Sequence, residues 1–212
     1  VRDAIKKGIK PIVGCEFFIC HDRNDKSYQD NGFQTVVLAK NKNGYQNLIK
    51  LASYANTEGF YYVPRIDREL LLQYKNDLIV LTGGIWGEIP NKILFEGEQQ
   101  AEDALLWWKE HFESDFYIEI NRHGVEEENE INKTLLLFAK KHNIKYIASN
   151  NTYYINKSDA EAHDVLLCIR DAQPLSQPKK YIGKRGREFR FGFPNDEFYF
   201  KSADEMKSLF AD

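Results

Sequence analysis

Three places in the sequence gather side chains that could hold a cation or move a proton. Glu16 follows Gly14 and Cys15. Asn121, Arg122 and His123 follow an apolar stretch ending at Ile120. Asn150 and Asn151 follow another ending at Ser149. A metal-dependent phosphoesterase needs several carboxylates and imidazoles converging on one point, to bind cations and generate hydroxide. These places supply one Glu, one His and several amides, and an amide carries no charge to offset a dication. Each candidate also has a plain structural reading. Glu16 serves equally as an ordinary carboxylate at a strand end, and His123, between Arg122 and Gly124, as a turn residue. His21, His111 and His142 read as surface residues. His163, three positions before Leu166 on a helical pattern, reads as a structural histidine. The acidic run Glu126 to Glu130 reads as a solvated helix start.

A different chemistry is written between Gln177 and Phe193. Lys179, Lys180, Lys184, Arg185, Arg187 and Arg190 alternate there with Tyr181, Phe189, Phe191 and Phe193. Basic charge beside stacking rings suits single-stranded nucleic acid. A solubilising loop with a local aromatic anchor has the same composition. Elsewhere the balance of 29 basic and 32 acidic residues, a net charge of -3, gives no uniformly basic surface. No phosphate-cradling G-x-x-x-x-G-K-[ST], dinucleotide G-x-G-x-x-G or nucleophile-elbow G-x-S-x-G occurs. Cys15, Cys20 and Cys168 are odd in number and lack metal-ligand spacing, as expected of a reduced, cytoplasmic protein. No apolar run reaches the ~20 residues that a membrane span needs. Val1 is not an initiator Met, and Val1-Arg2-Asp3-Ala4 reads as the continuation of a helix begun upstream.

The elements that must position these residues alternate in type. Strands are expected over Ile9 to Phe18, Thr35 to Ala39, Asp77 to Thr82, Phe116 to Ile120 and Tyr146 to Ser149. Helices are expected over Asn43 to Tyr54, Glu98 to His111 and Glu126 to His142, the last with acids in its first turn and bases in its last. Ser158-x-x-Glu161 is expected to cap a helix running to about Arg170, and Ser202-x-x-Glu205 to cap a final one. Strands separated by helices imply crossover connections and a mainly parallel sheet, either a closed barrel or an open doubly wound sheet. In such folds functional groups collect on the loops at the C-terminal strand ends, where all three polar clusters fall.

Longer phrases carry a resemblance. Gly8-Ile9-Lys10-Pro11-Ile12-Val13-Gly14-Cys15-Glu16 resembles the G-I-K-P-I-x-G-x-E segment of the alpha subunits of bacterial DNA polymerase III, the replicative C-family polymerases. The stretch from Ala39 to Leu48 resembles their L-A-x-N-x-x-G-Y-x-N-L, and Gly59 to Asp67 their G-F-Y-x-x-P-R-I-D. Phe116 to Gly124 is similar to F-Y-x-E-x-x-R-H-G, and Ala162 to Ile169 to A-H-D-x-L-L-C-I. Glu197 to Ser202, with Glu205 and Met206, is similar to E-F-Y-x-K-S-x-E-E-M. The phrases follow in family order. The resemblance implies a PHP (polymerase and histidinol phosphatase) domain over residues 1–212. It implies a distorted parallel β/α barrel, incomplete at its N-terminus because the first βα unit is missing. Residues 177–193 would form a basic loop or insertion, and residues 194–212 would lead toward the polymerase core.

The family's metal cluster supports a 3'-5' exonuclease in some members, while in others the domain is a scaffold that docks a separate proofreading exonuclease subunit. The resemblance makes Glu16 the family's metal-binding Glu and places His123 in the R-H-G phrase. The H-x-H and D-H motifs would lie before Val1. Gln34 stands where metal-binding members have His, and Gly84 where some have Cys. In Ser149-Asn150-Asn151-Thr152-Tyr153-Tyr154, which aligns with T-N-D-x-H-Y, Asn151 replaces an Asp ligand and Tyr153 a His ligand. Asn lacks the charge of Asp, and Tyr is a poor ligand at neutral pH. The resemblance therefore implies a non-catalytic domain with a degenerate site and no bound cofactor. Its parent would be a DNA-directed DNA polymerase, a nucleotidyltransferase using Mg. Zn or Mn would be present only in the alternative, an active PHP phosphoesterase or 3'-5' exonuclease. The implied partners are the remainder of the alpha subunit, the proofreading exonuclease subunit, and DNA through the parent polymerase, with no membrane. Lys179, Lys180, Lys184, Arg185, Arg187 and Arg190 are the candidate nucleic-acid contacts.

Overall fold

In the computed structural model, residues 1–183 and 187–211 are described. Two compact units are present, one made of residues 1–119 and 133–147, the other of 120–132 and 148–212. The six-stranded sheet has the order β3-β1-β2-β4-β5-β6. Its strands are β1 (Gly14–Cys20), β2 (Phe33–Ala39), β3 (Arg65–Asp67), β4 (Leu78–Leu81), β5 (Phe116–Asn121) and β6 (Tyr146–Ser149). The sheet is open, with β3 and β6 at its edges, as an incomplete PHP-type barrel requires.

The expected parallel register holds for β1 with β3 and for β4 with β5. β2, however, runs antiparallel to both β1 and β4. A parallel pair needs a crossover, usually a helix. Residues 21–32, which join β1 to β2, form no helix, so the chain simply turns back. The first strand begins at Gly14 rather than Ile9. Ile9 and Ile12 are 58% and 70% exposed, and Pro11 has no N–H to give to a ladder.

Period-two alternation divides the first unit's sheet into two faces. One face carries Phe17, Ile19, Thr35, Val37, Ile66, Leu78, Val80, Phe116 and Ile118, all buried. Helix α2 (Lys42–Thr57) lies against β1, β2 and β3 and buries Leu48, Leu51 and Ala55. Asn41 caps it, accepting from the Asn43 and Gly44 amides, which starts the helix one residue earlier than the periodicity predicts. Gly44 meets Asp77 so closely that a Cβ there would lie 2.1 Å from the Asp77 carbonyl oxygen. Helix α5 (Glu98–Phe112) buries Leu105, Trp108 and Phe112, with the Trp108 ring stacked near Phe116. The helix expected at residues 1–4 is present as α1 (Arg2–Lys6), while the short helices α3 (Arg68–Gln73) and α4 (Glu88–Phe95) escape the sequence pattern because each is too brief to show a period.

Arg65 fastens the loops at one end of this sheet. It is fully buried, and its guanidinium donates to the Gly59, Asp30, Arg23 and Asp25 carbonyls. Beside it, Arg23 Nη1 lies 2.8 Å from both Asp67 oxygens, while Asp67 also caps α3 through the Leu70 amide.

Helix α6 (Glu126–His142) and β6 have their expected bounds. His142 is not the surface residue expected. It pairs with Glu102, at 15% side-chain exposure. In the second unit, α7 (Ala160–Asp171) follows a short 3-10 turn at Lys157–Asp159. The capping box there joins Asn156 to Asp159 rather than Ser158 to Glu161. The Ser202–Glu205 box opens α8 (Ala203–Leu209) as expected.

Candidate functional site

Unit one places Glu16, Gln34 and Gly84. Glu16 lies opposite Val36 and Phe18 opposite Gln34 in the antiparallel register, so Glu16 and Gln34 are diagonal neighbours on one face. Glu119 reaches that face from β5, because Leu81 is in register with both Val36 and Tyr117. The backbone amide of Glu119 donates to Thr82 Oγ1 at 2.9 Å. Gly83, at φ +74, makes the turn after β4, and a Cβ on it would lie 2.7 Å from the Gln34 carbonyl. Gly84 closes the turn by accepting from Gly87 N–H at 2.7 Å.

Glu16 is exposed as a residue, yet its carboxyl is held above its ordinary 4.5, first by partial burial and second by the negative charge of Glu119. A raised carboxyl binds more protons folded than unfolded, so stability falls as pH rises from the ordinary value through the folded one. Glu16→Gln is therefore expected to raise the urea midpoint at pH 7. The difference should close below about pH 4, where the carboxyl is protonated in both states. An unchanged midpoint at pH 7 would mean that solvent screens the pair.

Unit two is organised around His123, which is fully buried. Glu128, in the first turn of α6, reaches back and accepts from the His123 backbone amide at 2.6 Å and from its Nδ1 at 2.7 Å. The Asn151 backbone amide donates to Nε2 at 3.1 Å. Nε2 must then be unprotonated and Nδ1 must carry the hydrogen, which fixes a neutral tautomer. Phe198 stacks on the ring at 4.4 Å with an interplanar angle of 1°. Asn195 Nδ2 donates to the His123 carbonyl at 2.6 Å. The neighbouring Arg122 donates to the Leu209 carbonyl at the end of α8 and lies over the Phe210 ring. The acidic run does start a helix, as expected, but it is not all solvated, since Glu128 is 6% exposed. Its signal in the sequence was its place in a first helical turn, where a Glu can reach the preceding backbone.

The residues around Asn150 are bonded in the same way. Asn150 donates to the Tyr199 carbonyl and accepts from Lys201 Nζ. The Tyr153 backbone amide donates to the Phe198 carbonyl at 2.9 Å, and its half-exposed ring lies against Phe193 and His163. The phrases around Arg122-His123, Asn150-Asn151 and Phe198-Lys201 are thus cross-bonded to one another. Asn121 Nδ2 adds a 3.3 Å bond to Ser149 Oγ.

The basic stretch divides. Arg190, in the two-residue strand β8 (Arg190–Phe191), is 5% exposed and makes a bidentate pair with Asp164 at 2.7 and 2.8 Å, so it is not the exposed base expected. Lys179 and Lys180, which form β7 (Lys179–Lys180), and Arg187 are exposed. Lys184 and Arg185 lie outside the described residues. Two of the four interleaved rings are core, Phe191 is half-buried and Phe189 is exposed. Tyr181 and Phe193 are buried with Phe198 and make ring contacts with Phe191 and His163.

His123 follows the end of β5, and Asn150 and Asn151 follow the end of β6, as expected, whereas Glu16 lies within β1, near its start, rather than on a loop at a C-terminal strand end. The chain belongs to the PHP domain family, which matches residues 1–123. It is 36% identical to the DNA polymerase III subunit alpha of Borreliella burgdorferi over 100% of this chain and 18% of that protein. It is 39% identical to that of Thermus aquaticus over 98% of this chain and 17% of the relative, and 37% identical to that of Deinococcus radiodurans over 94% and 15%. The chain spans less than a fifth of the length of these relatives.

Among the described residues no three His, Cys, Asp or Glu side chains gather in a group that could hold a metal ion. His123 spends both ring nitrogens on protein partners. Among the described residues no helix is long and apolar enough to cross a membrane.

Proposed function

We propose that this chain is the N-terminal PHP domain of a replicative DNA polymerase alpha subunit, working in the cytoplasm in chromosomal replication. Its role there is that of a scaffold with a degenerate metal site, docking the proofreading exonuclease subunit. The names of its relatives and their near-complete coverage of this chain support the placement in a polymerase. The observation that carries the scaffold reading is the state of His123. The imidazole in the R-H-G phrase is neutral, buried and bonded at both nitrogens, which is the condition of a structural group rather than a waiting ligand. Nucleotidyl transfer with Mg belongs to the parent polymerase, outside this chain. Lys179, Lys180 and Arg187, with Lys184 and Arg185, are the bases of the 177–190 segment proposed to meet DNA.

Docking is tested by mixing the chain with the exonuclease subunit of the same replisome, with and without EDTA, and separating complexes by size. A complex of equal amount in both conditions is expected, since a scaffold needs no metal. A complex that forms only without chelator, or metal-dependent nuclease activity in the chain itself, would overturn the scaffold role.

A further inference from the structure

The loops fastened by Arg65 present an aromatic surface that nothing above explains. Phe60 is 52% exposed, Tyr62 63% and Tyr28 54%. Tyr28 belongs to loop 21–32 and the other two to loop 58–64. Arg65 binds carbonyls of both loops, so they are held together from beneath. Tyr62 is at the tip of a tight turn in which the Tyr61 amide donates to the Val63 carbonyl at 3.2 Å. Its φ is +63°, a left-handed conformation that bulky residues avoid. Glycine or asparagine would fill that position with less strain. The Tyr62 ring meets the Tyr61 ring edge to face at 4.7 Å and is otherwise largely in water. Strain of this kind, kept by surrounding structure, marks places that serve a function.

The charge around these rings selects the partner. Residues 21–32 and 58–67 carry five carboxylates, Asp22, Asp25, Asp30, Glu58 and Asp67, against three basic side chains. Arg23 pairs with Asp67, which is itself buried, and Arg65 is spent on the carbonyls, so Asp22, Asp25, Asp30 and Glu58 are the carboxylates that remain. Lys26 is exposed, as are Asp22 and Glu58, the last of them 3.8 Å from Arg23 Nε. A rim of this sign repels a phosphate backbone. Tyrosine and phenylalanine faces ringed by carboxylates bind guanidinium and ammonium groups through cation–π attraction, and their rings anchor protein interfaces.

We infer that the tip formed by Tyr28, Phe60 and Tyr62 is a docking surface for a protein segment carrying arginine or lysine among aliphatic residues. It shares no residue with the His123 cluster and does not depend on the role proposed for that cluster.

The test is fluorescence anisotropy at physiological salt, using the 212-residue chain and a labelled octapeptide of alternating arginine and leucine. A glutamate–leucine octapeptide and a labelled oligo-dT are the comparison probes. The arginine–leucine peptide is expected to bind at least about tenfold more tightly than either, and Tyr62→Gly to weaken it by about fivefold or more. Glycine keeps the left-handed turn, so the melting temperature of the variant should be equal or higher, and Tyr62→Asn should behave alike. Equal binding by wild type and Tyr62→Gly would overturn the proposal. So would preference for oligo-dT or the glutamate peptide, or self-association of the chain that Tyr62→Gly abolishes.

Discussion

Arg65→Lys is expected to destabilise the first unit by about 2–3 kcal/mol, and Arg65→Met by more than about 3 kcal/mol. The guanidinium serves four carbonyls from three separate places, at 2.7 to 3.2 Å, with the side chain fully buried. A lysine ammonium has three donors radiating from one point and cannot reproduce that planar fork. Methionine fills the volume and leaves every carbonyl without its donor, and a buried acceptor that loses its partner costs roughly 1–3 kcal/mol. The loops also close over Gly59, where a Cβ would come within 2.0 Å of the Arg65 carbonyl, so they have little room to relax. The chain's tryptophans, Trp86, Trp107 and Trp108, all lie in this unit. Urea unfolding followed by tryptophan fluorescence therefore reads the effect directly. A lysine variant with an unshifted midpoint would show that water replaces the lost bonds.

The second large effect is expected at His123. His123→Ala removes a fully buried ring stacked on Phe198, the bond from the Asn151 amide and the bond to Glu128. Cavity formation and orphaned polar groups together make a loss of about 3 kcal/mol the expected result. Glu128→Ala, which leaves the ring in place but strips the His123 backbone amide and Nδ1 of their acceptor, should cost about 2 kcal/mol. Hydrogen exchange localises the damage. Amides of residues 150–154 and 195–201 should lose protection in both variants, while those of β1 and β2 keep theirs. Unchanged exchange at residues 150–154 would mean that the loop is held without the imidazole.

Much of this architecture was legible in the residues. Long helices announced themselves by period and polarity, as in α6, where acids open and bases close the helix. Short apolar runs gave the strands. Direction within the sheet was harder to read, because it depends on how a connection crosses space rather than on its composition. The polar segment between β1 and β2 returned antiparallel in a sheet expected to be mainly parallel. The site was partly legible. Family phrases singled out Glu16, His123, Asn151 and Tyr153, but the partner that fixes the state of His123 is Glu128, hidden in an acidic run that looked solvated. Arg190 looked like its basic neighbours, but it is buried, pairs with Asp164 and donates to the Gln177 carbonyl. Such pairings join residues many positions apart, and a one-dimensional pattern does not carry them.

The central claim, that His123 is a structural imidazole and not a ligand in waiting, is tested most directly by nitrogen NMR of the ring before and after one equivalent of zinc. The account predicts a neutral tautomer with the hydrogen on Nδ1, and both nitrogen signals unmoved by the metal. A shift or loss of the Nε2 signal on adding zinc, with release of the Asn151 amide bond, would contradict it.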